Sequence, residues 1–362
     1  MSLSNRLKAF LLRFLTYKKI TLFNIKHAKR VLFFRYDRIG DMVISTAVFR
    51  ELKVAYPELK ISVLASKVNK GVLSNNPYVD EIIINNKNNI FGDLLSLIKL
   101  RKQKIDVCVE FDHSVVPHAI LRLKIINPKK IISVNKNGRY GVAGIELLLY
   151  DFYTEKPKNT HSRDIWLNTL TPFDIKPKSN TYDLFISDKQ DMFAKNFLQN
   201  FSSNCIIGIN LEGAVEGKKI QYSELQKICK ALGKESIEII IISHPRKLKT
   251  ISKLIEKMNI KYVFPSYKTS SILDLAALIK NLDLIITPDT SISHIASAFN
   301  KPIITIHENN NDSYELFSPT SMLNKTFFSQ EKNNLRGYDI QALIDHTSHL
   351  INKISKNENS RH

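Results

Sequence analysis

Short apolar runs alternate with longer amphipathic segments along most of the chain. Runs of four to eight apolar residues are typical of buried parallel strands, and the amphipathic segments have the length and spacing of helices. The elements predicted in the first half are strands at residues 30–36, 60–65, 79–84, 105–111 and 130–134, and helices at 41–56 and 94–102. This alternation predicts a doubly wound α/β sheet with helices on both faces.

The second half repeats the alternation after a polar stretch at residues 176–181. The predicted strands are 205–211, 236–243, 261–264, 282–287 and 302–307, and the predicted helices are 188–200, 223–232, 247–258, 271–280, 292–299 and 337–354. The chain is therefore predicted to form an N-terminal Rossmann-like domain over residues 30–180 and a second one over 181–335, with a C-terminal helix and tail at 336–362. Ligands bind at the carboxyl ends of such strands, so we expect the chemistry in the loops there, in a cleft between facing domains.

The loop after the first strand carries Asp37-Arg38-Ile39-Gly40-Asp41. Gly40 is expected to allow a tight turn at the strand end. Asp41 has two interpretations. It is an N-cap that accepts backbone hydrogen bonds, or it is a general base directed into the cleft. A helix N-terminus near the carboxylate would lower its pKa and keep it deprotonated. The loop lacks both the dinucleotide glycine pattern and the P-loop pattern.

A second strand–loop–helix unit carries Asp289-Thr290-Ser291-Ile292-Ser293-His294. Small polar residues at a helix N-terminus offer hydroxyl and N–H groups that suit a diphosphate. His294, in the first helical turn, is close enough to reach the same anion. The alternative is simple capping by Asp289 or Ser291, with His294 as a surface or core residue.

Lys218 and Lys219 follow the strand at 205–211 through a loop that contains Gly213. A lysine at the carboxyl end of a strand can neutralise a phosphate, although a single solvated surface lysine is the more common case. The two lysines are not distinguished by sequence alone.

The composition is that of a soluble globular protein, with 43% hydrophobic and 24% charged residues and a net charge of +19. The charge indicates an anionic partner. Eight Lys or Arg residues and no acidic residue lie within the first thirty positions, interleaved with Leu and Phe. The basic amphipathic segment 1–29 therefore either lies on an anionic membrane surface, packs on the domain as an ordinary helix, or frays. Three separated cysteines (Cys108, Cys205 and Cys229) indicate reduced, buried thiols in a cytoplasmic protein.

Three segments resemble glycosyltransferase family 9, the lipopolysaccharide heptosyltransferases. Residues 38–41 are similar to the family's first strand–loop–helix. Residues 289–296 resemble its Asp-Thr-Gly/Ser-x-x-His-x-Ala sequence, and Lys218-Lys219-Ile220-Gln221 stands where Lys-Arg-Trp-Pro is usual. The resemblance runs from about residue 30 to 330. It implies a GT-B fold and inverting transfer from ADP-heptose to the inner core of lipopolysaccharide, on the cytoplasmic face of the inner membrane.

The resemblance also implies roles for individual residues. Asp41 would be the catalytic base, with acceptor contacts from Arg38, Gly40 and Asp112. The donor-binding residues would be Gly213, Lys218, Asp289, Thr290, Ser291 and His294. The sequence has no Asp-x-Asp motif, so no metal or other cofactor is expected.

Three alternatives stay open at this point. A transferase of the same fold with another sugar nucleotide and another glycan acceptor fits the segment after the strand at 236–243, because no acidic residue stands there. A nucleic-acid binder fits the charge, but no recognised motif supports it. A dehydrogenase or epimerase would fit the fold class, but the glycine fingerprint is missing.

Overall fold

The computed structural model describes residues 3–18, 21–85, 89–213, 217–234 and 236–359. The chain divides into two compact units, Met1–Asp183 and Leu184–His362. Each unit is built on a parallel six-stranded sheet covered by helices. The two sheets have the same connectivity, in which the chain builds outward from a central strand and then crosses back to the other side of it.

In the N-terminal unit the strand order is β3-β2-β1-β4-β5-β6. The strands are β1 (Arg30–Arg35), β2 (Lys60–Ala65), β3 (Glu81–Ile84), β4 (Val107–Glu110), β5 (Lys130–Val134) and β6 (Phe152–Thr154). The α-helices are α1 (Leu3–Thr16), α2 (Ile39–Ala55), α3 (Ile90–Lys102), α4 (Pro117–Ile126) and α5 (Ser162–Leu167). The central strands β1 and β4 are buried along almost their whole length, as their apolar runs predicted.

In the C-terminal unit the strand order is β12-β11-β10-β7-β8-β9. The strands are β7 (Ile206–Asn210), β8 (Glu238–Ile242), β9 (Val263–Pro265), β10 (Leu284–Pro288), β11 (Ile303–His307) and β12 (Asn324–Phe328). The helices are α6 (Asp188–Leu198), α7 (Tyr222–Leu232), α8 (Leu248–Met258), α9 (Ile272–Asn281), α10 (Ser291–Ala298), α11 (Asn311–Phe317) and α12 (Ile340–Asn359). Helix α12 is part of this unit, because Leu343, Leu350 and Ile351 lie in its hydrophobic core.

The N-terminal segment is a helix that packs on the first unit. Ala9, Leu12 and Thr16 of α1 are buried, and the two apolar residues join the core that α4 also lines. The packing interpretation of this segment is therefore correct for one side of the helix. Its other apolar side chains are exposed.

Two edge strands were not predicted from the sequence. β6 has three residues, and β12 consists of half-exposed or exposed positions with the polar residues Asn324 and Lys325 at its start. An edge strand is half covered and carries little of the apolar signal that marks a central one, so its sequence does not stand out.

A buried ion pair lies at the end of β4. Lys136 Nζ is 2.5 Å from Glu110 Oε2, with 0% and 1% of the two side chains exposed. The same ammonium donates to the carbonyl of Asp112 at 2.6 Å, and Ser133 Oγ donates to the Glu110 carbonyl. The pair thus ties the loop after β5 to the segment that follows β4.

Removing one partner of this pair should be costly. The variant Lys136→Met leaves the Glu110 carboxylate buried without its cation, so we expect the free energy of unfolding in urea to fall by about 3–5 kcal/mol. The double variant Glu110→Gln/Lys136→Met removes both charges and should recover most of that loss. A double variant no more stable than Lys136→Met would show that the charge imbalance is not the cause.

Candidate functional site

Both sheets place the predicted site residues at their topological switch points, where strand order reverses and ligands of such sheets bind. In the N-terminal unit the switch lies between β1 and β4, which are followed by Asp37–Asp41 and by Asp112. In the C-terminal unit it lies between β7 and β10, which are followed by Gly213 and by Asp289–Ser291.

Helix α2 begins earlier than predicted, and this changes the interpretation of two residues. Arg38 is the N-cap, without a side-chain capping bond, and the helix starts at Ile39. The interpretation of Asp41 as the N-cap is therefore wrong, since it lies within the first helical turn. Gly40 is the second helical residue and does not adopt a positive φ, so the turn expected there is wrong too. Arg38 itself is exposed at the loop.

Asp41 has a carboxyl group that holds its proton more tightly than usual. Burial raises its pKa to about 7, and the negative charge of Asp37 adds to the effect against the opposing pull of Arg35 and Arg38. The expectation that the helix N-terminus lowers this pKa is wrong, because burial outweighs the helix field. A carboxylate that titrates near neutral pH is well matched to general-base catalysis.

Arg35 and Asp37 form a support for Asp41 that sequence analysis missed. The Arg35 guanidinium stands over the rings of Phe111 and Trp166, at 4.7 and 4.1 Å from their centroids. Its Nη1 donates to Asp37 Oδ2 at 2.7 Å. Only 2% of the Arg35 side chain is exposed. The sequence signal available was a charged residue at the end of an otherwise apolar strand.

The charge of Asp37 should be visible in the titration of Asp41. In the variant Asp37→Asn the neighbouring negative charge is lost, so we expect the pKa of Asp41 to fall and the acid limb of the pH–rate profile to move to lower pH. The matched control is Asp80→Asn, which removes a carboxylate paired with Lys53 and distant in sequence from the loop. If the acid limb of the Asp37→Asn profile stays at the wild-type pH, then Asp37 does not raise the pKa of Asp41.

The segment after β4 brings Asp112 and His113 to the same switch point. Burial raises the pKa of Asp112 to about 8, and the charge of Glu110 adds to this. Burial lowers the pKa of His113 to about 3, helped by Lys156, so its imidazole is neutral. Both ring nitrogens of His113 are buried without a hydrogen-bond partner, a pair of polar atoms that sequence analysis did not single out.

In the C-terminal unit, Thr290 rather than Asp289 or Ser291 is the N-cap of α10. Its Oγ1 accepts from the N–H of Ile292 at 3.3 Å. Asn210, the last residue of β7, donates to Thr287 Oγ1 at 2.9 Å and to the carbonyl of Glu212 at 2.8 Å. This amide links the end of β7 to the end of β10, so it fixes the positions of the two loops at the switch point relative to each other.

Lys218 lies at the same end of the sheet, where the strands have their carboxyl ends. Its Nζ is 2.7 Å from Oε1 of Glu308, the residue that follows β11. Burial opposes the ionised form of Glu308, but hydrogen bonds from Lys218 and from the N–H of Asn333 hold its pKa below the usual range. Gly213 is needed for this approach, because a Cβ there would come within 1.6 Å of the Lys218 carbonyl oxygen. Residues 214–216 lie outside the described part of the chain.

The remaining predicted donor residues lie near the same carboxyl ends of the strands. Asp289 and Ser291 are partly exposed, and Asp289 Oδ2 is 4.0 Å from Nδ1 of His307, whose pKa is lowered by burial. His294 is 5% exposed and lies edge-on to Phe317 at 6.5 Å. The structure thus brings Lys218, Asp289, Thr290 and Ser291 to the carboxyl ends of the strands of one sheet. His294, within α10, is almost fully buried.

A family model described as glycosyltransferase family 9 (heptosyltransferase) matches residues 96–340, about two thirds of the chain. The chain belongs to glycosyltransferase family 9. The match includes β7, β10 and every predicted donor residue of this family 9 transferase, and it begins after the Asp41 loop. The protein is therefore a glycosyltransferase, as the resemblance implied.

Several known proteins similar to this family 9 transferase are named as lipopolysaccharide heptosyltransferases. The lipopolysaccharide core heptosyltransferase OpsX of Haemophilus influenzae is 24% identical over 286 residues, which cover 78% of this chain and 80% of the relative. The structure of E. coli ADP-heptose lps heptosyltransferase II has a TM-score of 0.70 at 17% identity, covering 91% of this chain and 99% of that one. E. coli heptosyltransferase WaaC with ADP has a TM-score of 0.67 at 15% identity, covering 90% and 99%. The likeness in fold confirms the predicted GT-B class.

The family 9 transferase carries two carboxylates near the predicted donor residues that sequence analysis did not single out. Glu308 holds Lys218, and Glu212 holds Lys247 at 2.6 Å. Glu308 follows β11 directly and Glu212 stands two positions after β7, and these positions were the available signal. Lys247 belongs to the segment after β8 that has no acidic residue of its own, and its carboxylate partner comes from the loop after β7.

Within the described ranges, no group of three or more His, Cys, Asp or Glu side chains is arranged to hold a metal ion. No described helix is both long enough and apolar enough to cross a bilayer. Cys108, Cys205 and Cys229 are buried, and none of the three forms a disulfide bond.

Proposed function

We propose that this protein transfers a heptose from ADP-heptose to the inner core of lipopolysaccharide, with inversion at the anomeric carbon. The observation that carries the proposal is the joint position of Lys218 and Asp289–Ser291 beside the β7/β10 switch point, in a chain of the heptosyltransferase family. The relatives named as lipopolysaccharide heptosyltransferases, and the two solved structures whose titles name ADP-heptose and ADP, support this choice of substrates.

The donor diphosphate would bind at the N-terminus of α10. The hydroxyls of Thr290 and Ser291 and the backbone N–H groups of the first turn are suited to its oxygens, and the helix dipole favours its charge. Lys218 would exchange Glu308 for the diphosphate and neutralise the charge that grows as the leaving group departs. Gly213 allows its loop to approach the backbone of Lys218. Asp289 would orient the α10 loop or contact the sugar, and His294 would contact the same anion.

The acceptor hydroxyl would be activated by Asp41. The carboxylate takes the hydroxyl proton, the oxygen attacks the anomeric carbon, and the bond from that carbon to the diphosphate oxygen breaks with both electrons going to the diphosphate. The acceptor would be held by Arg38 and Asp112 in the N-terminal unit, with the backbone at Gly40 close by. Attack opposite the leaving group inverts the anomeric centre. No metal ion or other cofactor takes part in this scheme.

Another sugar nucleotide is the second candidate for the donor. It is favoured by the segment Ser243–Lys247 after β8, which offers His244, Arg246 and Lys247 but no carboxylate to a ribose hydroxyl.

We further propose that transfer takes place on the cytoplasmic face of the inner membrane, where a lipid-linked acceptor would be anchored.

The test is a transfer assay with the purified full-length protein. ADP-heptose and a panel of UDP-, GDP- and CDP-sugars are each supplied with a truncated lipopolysaccharide core, and products are followed by mass spectrometry in EDTA and in Mg²⁺. We expect transfer from ADP-heptose only, equal in both buffers, and an anomeric configuration opposite to the donor's by NMR. Transfer from a different nucleotide sugar would replace the donor assignment, and loss of activity in EDTA would contradict the metal-independent scheme.

A further inference from the structure

Helix α1 has two apolar faces, and only one of them is explained by packing. Ala9, Leu12 and Thr16 are buried against the N-terminal unit. At 3.6 residues per turn, a second stripe formed by residues 7, 10, 11 and 14 points in the opposite direction. These side chains are Leu7, Phe10, Leu11 and Phe14, with exposed fractions of 61%, 66%, 46% and 69%. An ordinary surface helix keeps its outer face polar, so the outer stripe needs another explanation.

Further exposed apolar side chains lie on neighbouring elements of the same helix layer. Helices α1, α3 and α4 contribute buried residues to one core cluster, so all three cover the same side of the sheet. Exposed apolar side chains also stand on the other two helices and on the short segment after Gly144, which Glu146 ties to Arg13 of α1. They are Phe91, Leu94, Leu95 and Ile98 of α3, Leu121 of α4, and Ile145 and Leu148. Single exposed apolar residues are common, but a set this concentrated marks an interaction surface.

The charges around this surface are almost all positive. Arg6, Lys8 and Arg13 flank the stripe of α1 and are exposed. At the C-terminal end of α3, an open depression of about 600 Å³ is lined by Lys29, Arg30, Lys99, Lys102, Lys104 and Lys129. Its acidic residue, Asp106, is already engaged by Lys129 and by the backbone N–H groups of Lys29 and Arg30. Asp93 of α3 is likewise paired with Arg122.

We propose that the outer faces of α1 and α3, with Leu121, Ile145, Leu148 and the basic depression, form a docking surface for an anionic lipid bilayer. Phe and Leu side chains would enter the boundary between headgroups and acyl chains, and the flanking cations would bind lipid phosphates. A second copy of the chain fits less well, because this face would meet its own positive charge. The inference deepens the proposed function by naming the surface that meets the membrane, but it rests on α1 and α3 rather than on the site.

The test is flotation of the full-length protein with vesicles, either of phosphatidylcholine alone or with phosphatidylglycerol. We expect binding to the anionic vesicles that weakens with added NaCl, and little binding to the neutral ones. The variant Phe10→Ser/Phe14→Ser should reduce the affinity about tenfold or more. The matched control, Val68→Ser/Met322→Ser, removes apolar side chains elsewhere that are at least about as exposed, and it should bind like wild type.

A second pair of variants tests the charges. Lys99→Glu/Lys102→Glu should reduce binding to anionic vesicles about tenfold or more, whereas Lys227→Glu/Lys230→Glu on α7 should change it little. The proposal would be overturned if vesicle binding stayed at the wild-type level in both the Phe10→Ser/Phe14→Ser and the Lys99→Glu/Lys102→Glu variants. Self-association that the Phe variants abolish, without vesicle binding, would assign the face to a second copy instead.

The same variants separate this surface from the transfer reaction. With a water-soluble, deacylated core acceptor, Phe10→Ser/Phe14→Ser should transfer sugar at the wild-type rate and keep the wild-type circular dichroism spectrum. If no sugar is transferred by any form but vesicle binding follows the expected order, then the proposed function is wrong and the docking surface stands.

Discussion

The variant Asp41→Asn is expected to reduce kcat by a factor of about 10² to 10⁴ while leaving the protein folded. The amide has the shape of the acid but cannot accept the hydroxyl proton, and a positioned general base contributes rate factors of this size. Binding of ADP-heptose should change little, because the predicted donor residues all belong to the C-terminal unit. Steady-state kinetics measure kcat, and calorimetric titration with ADP separately measures binding of the nucleotide part of the donor.

The pH profile gives this prediction its second readout. Since the pKa of Asp41 is raised to about 7, the fraction of active base falls as the pH drops below 7, and kcat/KM of the wild type should fall with it. Asp41→Asn should lose this limb. Asp164→Asn, which alters a partly exposed acid paired with Arg163, is the matched control and should keep both rate and limb. An Asp41→Asn enzyme within about threefold of the wild-type rate would exclude Asp41 as the base.

The raised pKa of Asp41 should also make the stability of the folded protein fall as the pH rises, whereas the rate rises with pH. The folded pKa of about 7 lies above the ordinary value of 3.8, so the folded state binds this proton more tightly than the unfolded state. The contribution of Asp41 to stability is therefore present at low pH and is lost as the pH rises through 7. At pH 8 the Asn variant should melt at a higher temperature than the wild type, and an equal or lower melting temperature would contradict the burial argument.

The variant Lys218→Ala is expected to reduce kcat/KM for the donor by a factor of about 10² to 10³. A cation placed where charge develops on the leaving group is worth that much when it is removed from a preorganised site. The KM for the nucleotide sugar should rise as well, because the ground-state diphosphate loses the same contact. The loss of the ion pair leaves Glu308 without its cation, so the melting temperature should be measured alongside.

The adjacent residue supplies the matched control. Lys219→Ala removes the same charge one position along the chain, and it should leave kcat/KM within about threefold of the wild type. The reverse ranking would assign the donor contact to Lys219. Glu308→Gln tests whether Lys218 must exchange partners. If the ion pair competes with the donor, this variant should bind ADP more tightly than the wild type.

The strand–helix alternation and the two Rossmann-like halves were predictable because central parallel strands are buried on both sides. Their apolar runs are long and continuous, and β2 and β5 have the predicted bounds. The loops that carry Asp41 and Asp289–Ser291 were predictable for a related reason, since polar residues directly after a buried strand stand at the ligand edge of such a sheet. The motifs there also sufficed to identify the family.

The structure decided what depends on contacts between distant segments. It showed that Asp41 is not a cap and that burial raises its pKa, with Arg35 of β1 and Asp37 as charged neighbours. It paired Lys218 with Glu308, some ninety positions apart, and placed Arg35 over Phe111 and Trp166. The sequence by itself determined which side chains of α1 are apolar or basic. Only the tertiary structure decided which apolar face is buried and which is exposed, because burial depends on the neighbours that the fold supplies.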